Sequence, residues 1–184
     1  MLKKEIITII LIFFILSNVL GQKLQHVKGL NTIDVSGYYT SQGLGQRCGY
    51  TMFLSNVITL SILYDYEKGD VGYTEFNRNG LMLQPGLTIL KPFKNDFITA
   101  YIPIIGGFET LNSKELLLKK NFFMYHAGIG ISNEYNINSI FAILLHFDQM
   151  LIGKSKIGIK YNSAGIGLRI KVTNINKKRT VLSY

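Results

Sequence analysis

The stretch "NSAGIGLRIKV", residues 162–172, limits the folds open to this chain more than any other. Ile166, Leu168, Ile170 and Val172 alternate with Gly165, Gly167, Arg169 and Lys171, so an extended chain sends every apolar side chain to one face. The same sorting recurs upstream. Ile58, Leu60, Ile62, Tyr64 and Tyr66 oppose Thr59, Ser61, Leu63 and Asp65; Phe123, Tyr125, Ala127, Ile129 and Ile131 oppose His126, Gly128, Gly130, Ser132 and Glu134; Phe141, Ile143, Leu145 and Phe147 oppose Ala142, Leu144, His146 and Asp148. Three surroundings suit such an oily face: the core of a soluble sandwich, the wall of a lipocalin-like cup, or membrane hydrocarbon.

The number and length of the strands separate these options. With 18 Gly, 11 Tyr, 11 Phe and only 3 Pro in 184 residues, the chain favours strands and turns over helices. Alternation predicts eight strands, over 30–40, 47–54, 57–66, 80–90, 97–108, 122–134, 139–149 and 161–172. They are long enough to cross a bilayer at a tilt, which takes about 9 to 11 residues, whereas soluble strands average nearer 5 or 6. The predicted connections alternate between long and short, with 67–79 and 109–121 the longest, as in a barrel with long loops at one mouth. Tyr38, Tyr39, Tyr64, Tyr66, Tyr73, Tyr125, Tyr135 and Tyr161 fall near strand ends, where an aromatic girdle would sit; Tyr101 does not. The expected fold is all-β, an eight-stranded antiparallel up-and-down β-barrel of outer-membrane type.

Residues 1–21 read as a signal peptide. Lys3 and Lys4 precede the apolar run Ile6 to Leu16, and Val19 and Gly21 sit at cleavage-site spacing. The barrel domain is then 22–172, with a basic C-terminal tail over 173–184 that includes Lys177, Lys178 and Arg179. Cys48 is the single thiol, so no internal disulfide can form, and it reads as a small apolar filler beside Tyr50, Met52 and Leu54. The net charge of +9 suits an anionic envelope polymer or partner. Basic residues are scattered and no DNA- or RNA-binding motif is present, so direct nucleic-acid binding is not expected.

An eight-stranded barrel has an interior that side chains fill. Gly128, Gly130, Gly165 and Gly167 would make room there for Asp34, Arg47, Glu134, His146, Asp148 and Arg169, which must pair with one another. Such a lumen is a plug, which leaves function to the loops or the outer wall. Pairing of strands six and seven about "EYNIN" would place His126 opposite His146 or Asp148. A polar network is the preferred reading of that cluster, with an acid/base or metal site as the alternative. No catalytic, cofactor-binding or metal residue is assigned, no cofactor is expected and the chain is read as a non-enzyme. Leu111, Leu116, Leu117 and Leu118, set among lysines, read as a loop folding back over the mouth, or as an amphipathic segment on lipid or a partner.

Ser163, Gly165, Leu168 and Ile170 resemble the last-strand signal read by Gram-negative barrel-assembly machinery. The segment "GGFETLN" from Gly106 to Asn112, the run Phe123 to Ser155 and the closing "AGIGLRIK" resemble the conjugal transfer protein TraO family of conjugative transposons, over roughly 95–172. That resemblance implies an exported envelope component of a conjugative DNA-transfer system, structural or accessory, in the outer membrane of a Gram-negative bacterium. Its implied partners are other conjugation-apparatus proteins, with outer-membrane lipid around the wall and no small-molecule substrate. The alternative is an outer-membrane barrel for adhesion or ligand binding unrelated to conjugation, and after it a lipid-modifying barrel enzyme.

Overall fold

The computed structural model describes residues 26, 28–93, 95–113, 118–158 and 161–172. The signal-peptide and basic-tail expectations, and Leu116 and Leu117, lie outside the described residues. Among the described residues there are nine strands: β1 (Asn31–Thr40), β2 (Gly43–Phe53), β3 (Ile58–Val71), β4 (Thr74–Leu90), β5 (Asp96–Tyr101), β6 (Ile104–Ser113), β7 (Leu118–Asn136), β8 (Phe141–Lys154) and β9 (Tyr161–Val172). Each pairs antiparallel with its neighbours, and β1 pairs with both β2 and β9, which closes the ring.

The ring has eight staves. β5 and β6 both lie between β4 and β7, and the register runs through the gap: Tyr101 faces Gly86 and Gly130, while Ile104 faces Leu83 and Ala127. The break falls at Ile102 and Pro103, because proline has no N–H to give the ladder. Neighbouring backbone bonds hold the path: the Ile102 N–H donates to the Pro85 carbonyl and the Gly128 N–H to the Pro103 carbonyl. β8 carries a bulge at Leu151, since Ala127 faces Ile152 while Gly128 faces Met150.

Parity holds through most of the ring. Ile33, Val35, Ile62, Leu81, Ile104, Phe108, Ile129, Ile131, Leu145, Phe147, Ile166 and Leu168 all stand exposed on the outer face. Among the described residues no second layer covers them. A belt of that extent would drive association in water, and hydrocarbon is the solvent that suits it.

The expected alternation of long and short connections is corrected. β3 and β4 continue through 67–79 to a turn at 72–73, where Gly72 takes a φ of +60°. β6 and β7 likewise take up most of 109–121. Both stretches keep the two-residue period, but their inward positions hold Glu67, Arg78 and Glu109, charges that read as loop until their partners are known. The tyrosine girdle is corrected in part: Tyr38 and Tyr161, expected in it, are buried inside, as is Tyr101, which is not expected there, while Tyr39, Tyr64, Tyr73 and Tyr125 are exposed. We call the end where β1 begins and β9 finishes the near end, and its opposite the far end.

Candidate functional site: a charged plug with two closed mouths

The lumen is filled by three arginines, each held by two carboxylates. At the near end Arg169 bonds Asp34 through Nε (2.8 Å) and Nη2 (2.6 Å), and pairs with Glu134 through Nη1. Lys171 adds a second cation beside Glu134, at 3.4 Å, and donates to the Asn136 carboxamide. Midway, Arg47 donates through Nε to Asp65 (2.7 Å) and through Nη1 to Asp148, with its guanidinium 4.3 Å from the Tyr38 ring centre. Tyr38 and Tyr101 donate to Asp65 and Asp148, and Ser163 donates to Asp148 at 2.8 Å. Toward the far end Arg78, 1% exposed, reaches Glu109 (3.1 Å) and Glu67 (3.3 Å). Buried charges persist only when paired and hydrogen-bonded, and each charged group here has an opposite charge and at least one hydrogen bond, with Arg47 Nη2 and Glu134 Oε1 left without a hydrogen-bond partner.

Between the middle and far arginines lies an apolar cluster of Leu63, Met82, Ile105, Met124, Met150 and Tyr161. Flexible thioethers suit an irregular gap inside a small barrel. Below it a cavity of about 40 Å³ is lined by Asp34, Ser36, Arg47, Tyr101, His146 and Arg169 among others, a size that holds a few water molecules. Arg47 and His146, whose Nη2 and Nε2 are buried without a protein partner, both line that space, which has room for water to complete their hydrogen bonding.

Both mouths are covered. At the far end Ser155 Oγ donates to Glu109 at 2.6 Å, the Lys156 N–H donates to the same carboxylate at 2.9 Å, and Arg78 Nη2 donates to Ser155 Oγ. Ser155 and Lys156, which follow β8, are thereby drawn over the opening. At the near end His26 stacks on Phe97, with centroids 3.8 Å apart, tilts against Phe53 at 4.6 Å and lies 3.2 Å from Glu134. His26→Ala removes a stacked ring and a hydrogen bond to a buried carboxylate. It should destabilise the barrel by about 1–3 kcal/mol, read in guanidinium unfolding, and raise solvent exchange of the β7 amides around Glu134.

The six charged or histidine residues expected inside are there, and five of them pair as anticipated: Arg47 with Asp148, and Arg169 with Asp34 and Glu134. Three of the four glycines make room for inward side chains, whereas a Cβ at Gly128 would meet the Gln149 backbone. A Cβ at Gly130 would strike the Tyr101 ring and Asp148, one at Gly165 the His146 ring, and one at Gly167 would meet Ser36. The expected meeting of His126 with His146 or Asp148 is corrected. His126 faces Gly153, and His146 faces Ser132 and Gly165. The turn lies at 137–140, beyond "EYN", because Asn138 Oδ1 accepts from the N–H groups of Ile140 and Phe141, both at 2.8 Å. His126 instead lies 3.3 Å from the Tyr161 hydroxyl. Among the described residues no group of three His, Cys, Asp or Glu side chains is placed to hold a metal ion.

Sequence reasoning missed Glu67, Arg78, Glu109, Lys171 and His26 as lumen residues. For the first four a signal existed: Glu67 shares parity with Ser61 and Asp65, Arg78 with Met82, Glu109 with Ile105, and Lys171 with Arg169. Cys48 stands free and exposed on the outer wall.

No protein-family model matches the chain, and no curated protein matches it. Solved structures do share the fold. The N-terminal β-barrel domain of Pseudomonas aeruginosa OprF superposes with a TM-score of 0.60 at 16% identity, covering 79% of this chain and 98% of that one. Neisserial surface protein A gives 0.61 at 9% identity, with 78% and 96% covered. Ail, the attachment invasion locus protein of Yersinia pestis, gives 0.54 at 11%, with 79% and 100% covered. The chain thus has the fold of the small outer-membrane β-barrels, with its interior occupied by an arginine–carboxylate plug.

Proposed function

We propose that the protein resides in the outer membrane of a Gram-negative bacterium and works by binding at the far end of its barrel. One observation carries this reading: the lumen is filled and both mouths are covered, so the outer surface is what remains to act. Lys68, Lys120, Lys154 and Lys156 are the exposed cations among the described far-end residues, against Asp70 as the exposed carboxylate. Tyr73, 77% exposed, adds an aromatic ring at the tip of the β3–β4 hairpin. Cations around an aromatic suit a sulfated or phosphorylated glycan. Ail, which shares the fold, has been solved with the heparin analogue sucrose octasulfate.

Vesicles bearing the barrel should therefore retain labelled heparin at low salt and release it as salt rises, and Lys68→Glu with Lys154→Glu and Lys156→Glu should abolish retention. Equal retention by the triple variant removes the reading. The resemblance of Gly106 to Asn112 and Phe123 to Ser155 to the TraO family supports a second one, in which the protein is an accessory envelope component of a conjugation apparatus. Deletion in a donor then lowers transfer frequency, and unchanged transfer excludes it.

A further inference from the structure

On the outer wall near the far end, Tyr39 of β1, Ala164 of β9 and Phe147 of β8 are register partners. The two rings stand 63% and 47% exposed, and Ala164 between them contributes one carbon. The result is a trough with aromatic walls and a methyl floor, lined further by Ser41, Gln149 and Asn162. Gln149 and Asn162 are themselves partners, one step closer to the far end, and both are exposed on the outer face.

Those carboxamides differ from other outward polar pairs. Thr110 donates to Asn121 Oδ1 at 2.9 Å and Tyr66 to Asn77 Oδ1 at 3.3 Å, so each satisfies its partner within the wall. Gln149 and Asn162, on neighbouring strands, make no such bond in the described structure. Each carboxamide offers two donors and an acceptor, and together they stand at the polar end of an apolar trough. An amphiphile has that pattern: chain below, headgroup above.

We propose that the trough is a fixed lipid site. One acyl chain of a bilayer lipid lies over Ala164 between Tyr39 and Phe147, and Gln149 and Asn162 hydrogen-bond the phosphate or hydroxyl oxygens of its headgroup. A bilayer lipid is the occupant because the trough is continuous with the apolar belt, whose neighbours are acyl chains. The proposal rests on the outer-membrane reading above. It needs no opening of the lumen and no contribution from the lysine rim.

The test uses the full barrel reconstituted in vesicles of phosphatidylethanolamine and phosphatidylglycerol, extracted into mild detergent and weighed by native mass spectrometry. Wild type should carry one retained lipid. Ala164→Phe, which fills the floor, should lower the retained fraction about tenfold, a weakening of about 1.4 kcal/mol. Gln149→Leu with Asn162→Leu should erase any preference between the two headgroups. Ile131→Phe, an outward substitution elsewhere on the wall, should leave retention unchanged. Equal retention by wild type and Ala164→Phe overturns the site, as does equal loss in Ile131→Phe. A heat-modifiability gel on the same samples separates the two claims. A band that shifts on boiling while wild type retains no lipid overturns the site and leaves the membrane barrel standing; a band that never shifts overturns both.

Discussion

Arg47→Met should destabilise the barrel by about 3–5 kcal/mol, the cost of stripping a buried charge of its partner. The fall would be read as a lower guanidinium midpoint for refolded protein in detergent or vesicles. Arg47 is 4% exposed, and its guanidinium is the cation between Asp65 and Asp148, which are themselves 2% and 0% exposed. Without it two carboxylates face one another in the lumen, with tyrosine and serine hydroxyls as their remaining donors. The distinguishing result comes from the triple variant. Arg47→Met with Asp65→Asn and Asp148→Asn removes all three charges together, so no ion is left unpaired, and most of the loss should be recovered. Whole buried ion clusters can be replaced by neutral groups at little cost, whereas half-removed ones cannot. If the triple variant is as unstable as the single one, shape complementarity around the guanidinium holds this layer together and charge pairing does not.

How far the sequence carried the fold follows from what each residue must know to be read. A side chain's choice of face depends only on parity, so Ile166 and Leu168 outward, with Arg169 inward, were legible from a dozen residues. A strand's end depends on whether the next charge has a partner across the ring. Glu67 and Arg78 look like loop residues in isolation, yet they bond each other across β3 and β4, and Arg78 also reaches Glu109 on β6. The register of β7 with β8 hung on one turn residue, Asn138, and misplacing that turn moved His126 from Gly153 to His146. His26 was illegible for another reason: its partners Phe53, Phe97 and Glu134 are remote in sequence, and no periodicity runs through it. The apolar cluster of three methionines was also invisible, since one inward methionine on each of three separate strands carries no pattern of its own.

Adjacent glycines on β6 should behave oppositely when each is given one methyl group. Gly107 points into the lumen opposite Gly80, and a Cβ there would overlap the Asn79 carbonyl oxygen and sit 2.5 Å from the Gly80 Cα. These are backbone atoms, which no rotamer change can clear, so the two strands must separate where the sheet bends to close a narrow ring. Gly106 points outward, and a Cβ there has nothing within 4 Å. Gly107→Ala should lose about 3 kcal/mol of stability, or fail to yield a heat-modifiable band, as overpacking against rigid atoms does. Gly106→Ala should be neutral, or more stable by about 0.5–1 kcal/mol through the lowered freedom of the unfolded chain. The pair shares sequence context, strand and propensity change, so any difference between them reports the closeness of the strands alone. Equal tolerance at both positions would mean that β4 and β6 stand farther apart at this corner, and that the glycine pair there is no requirement of closing an eight-stave ring.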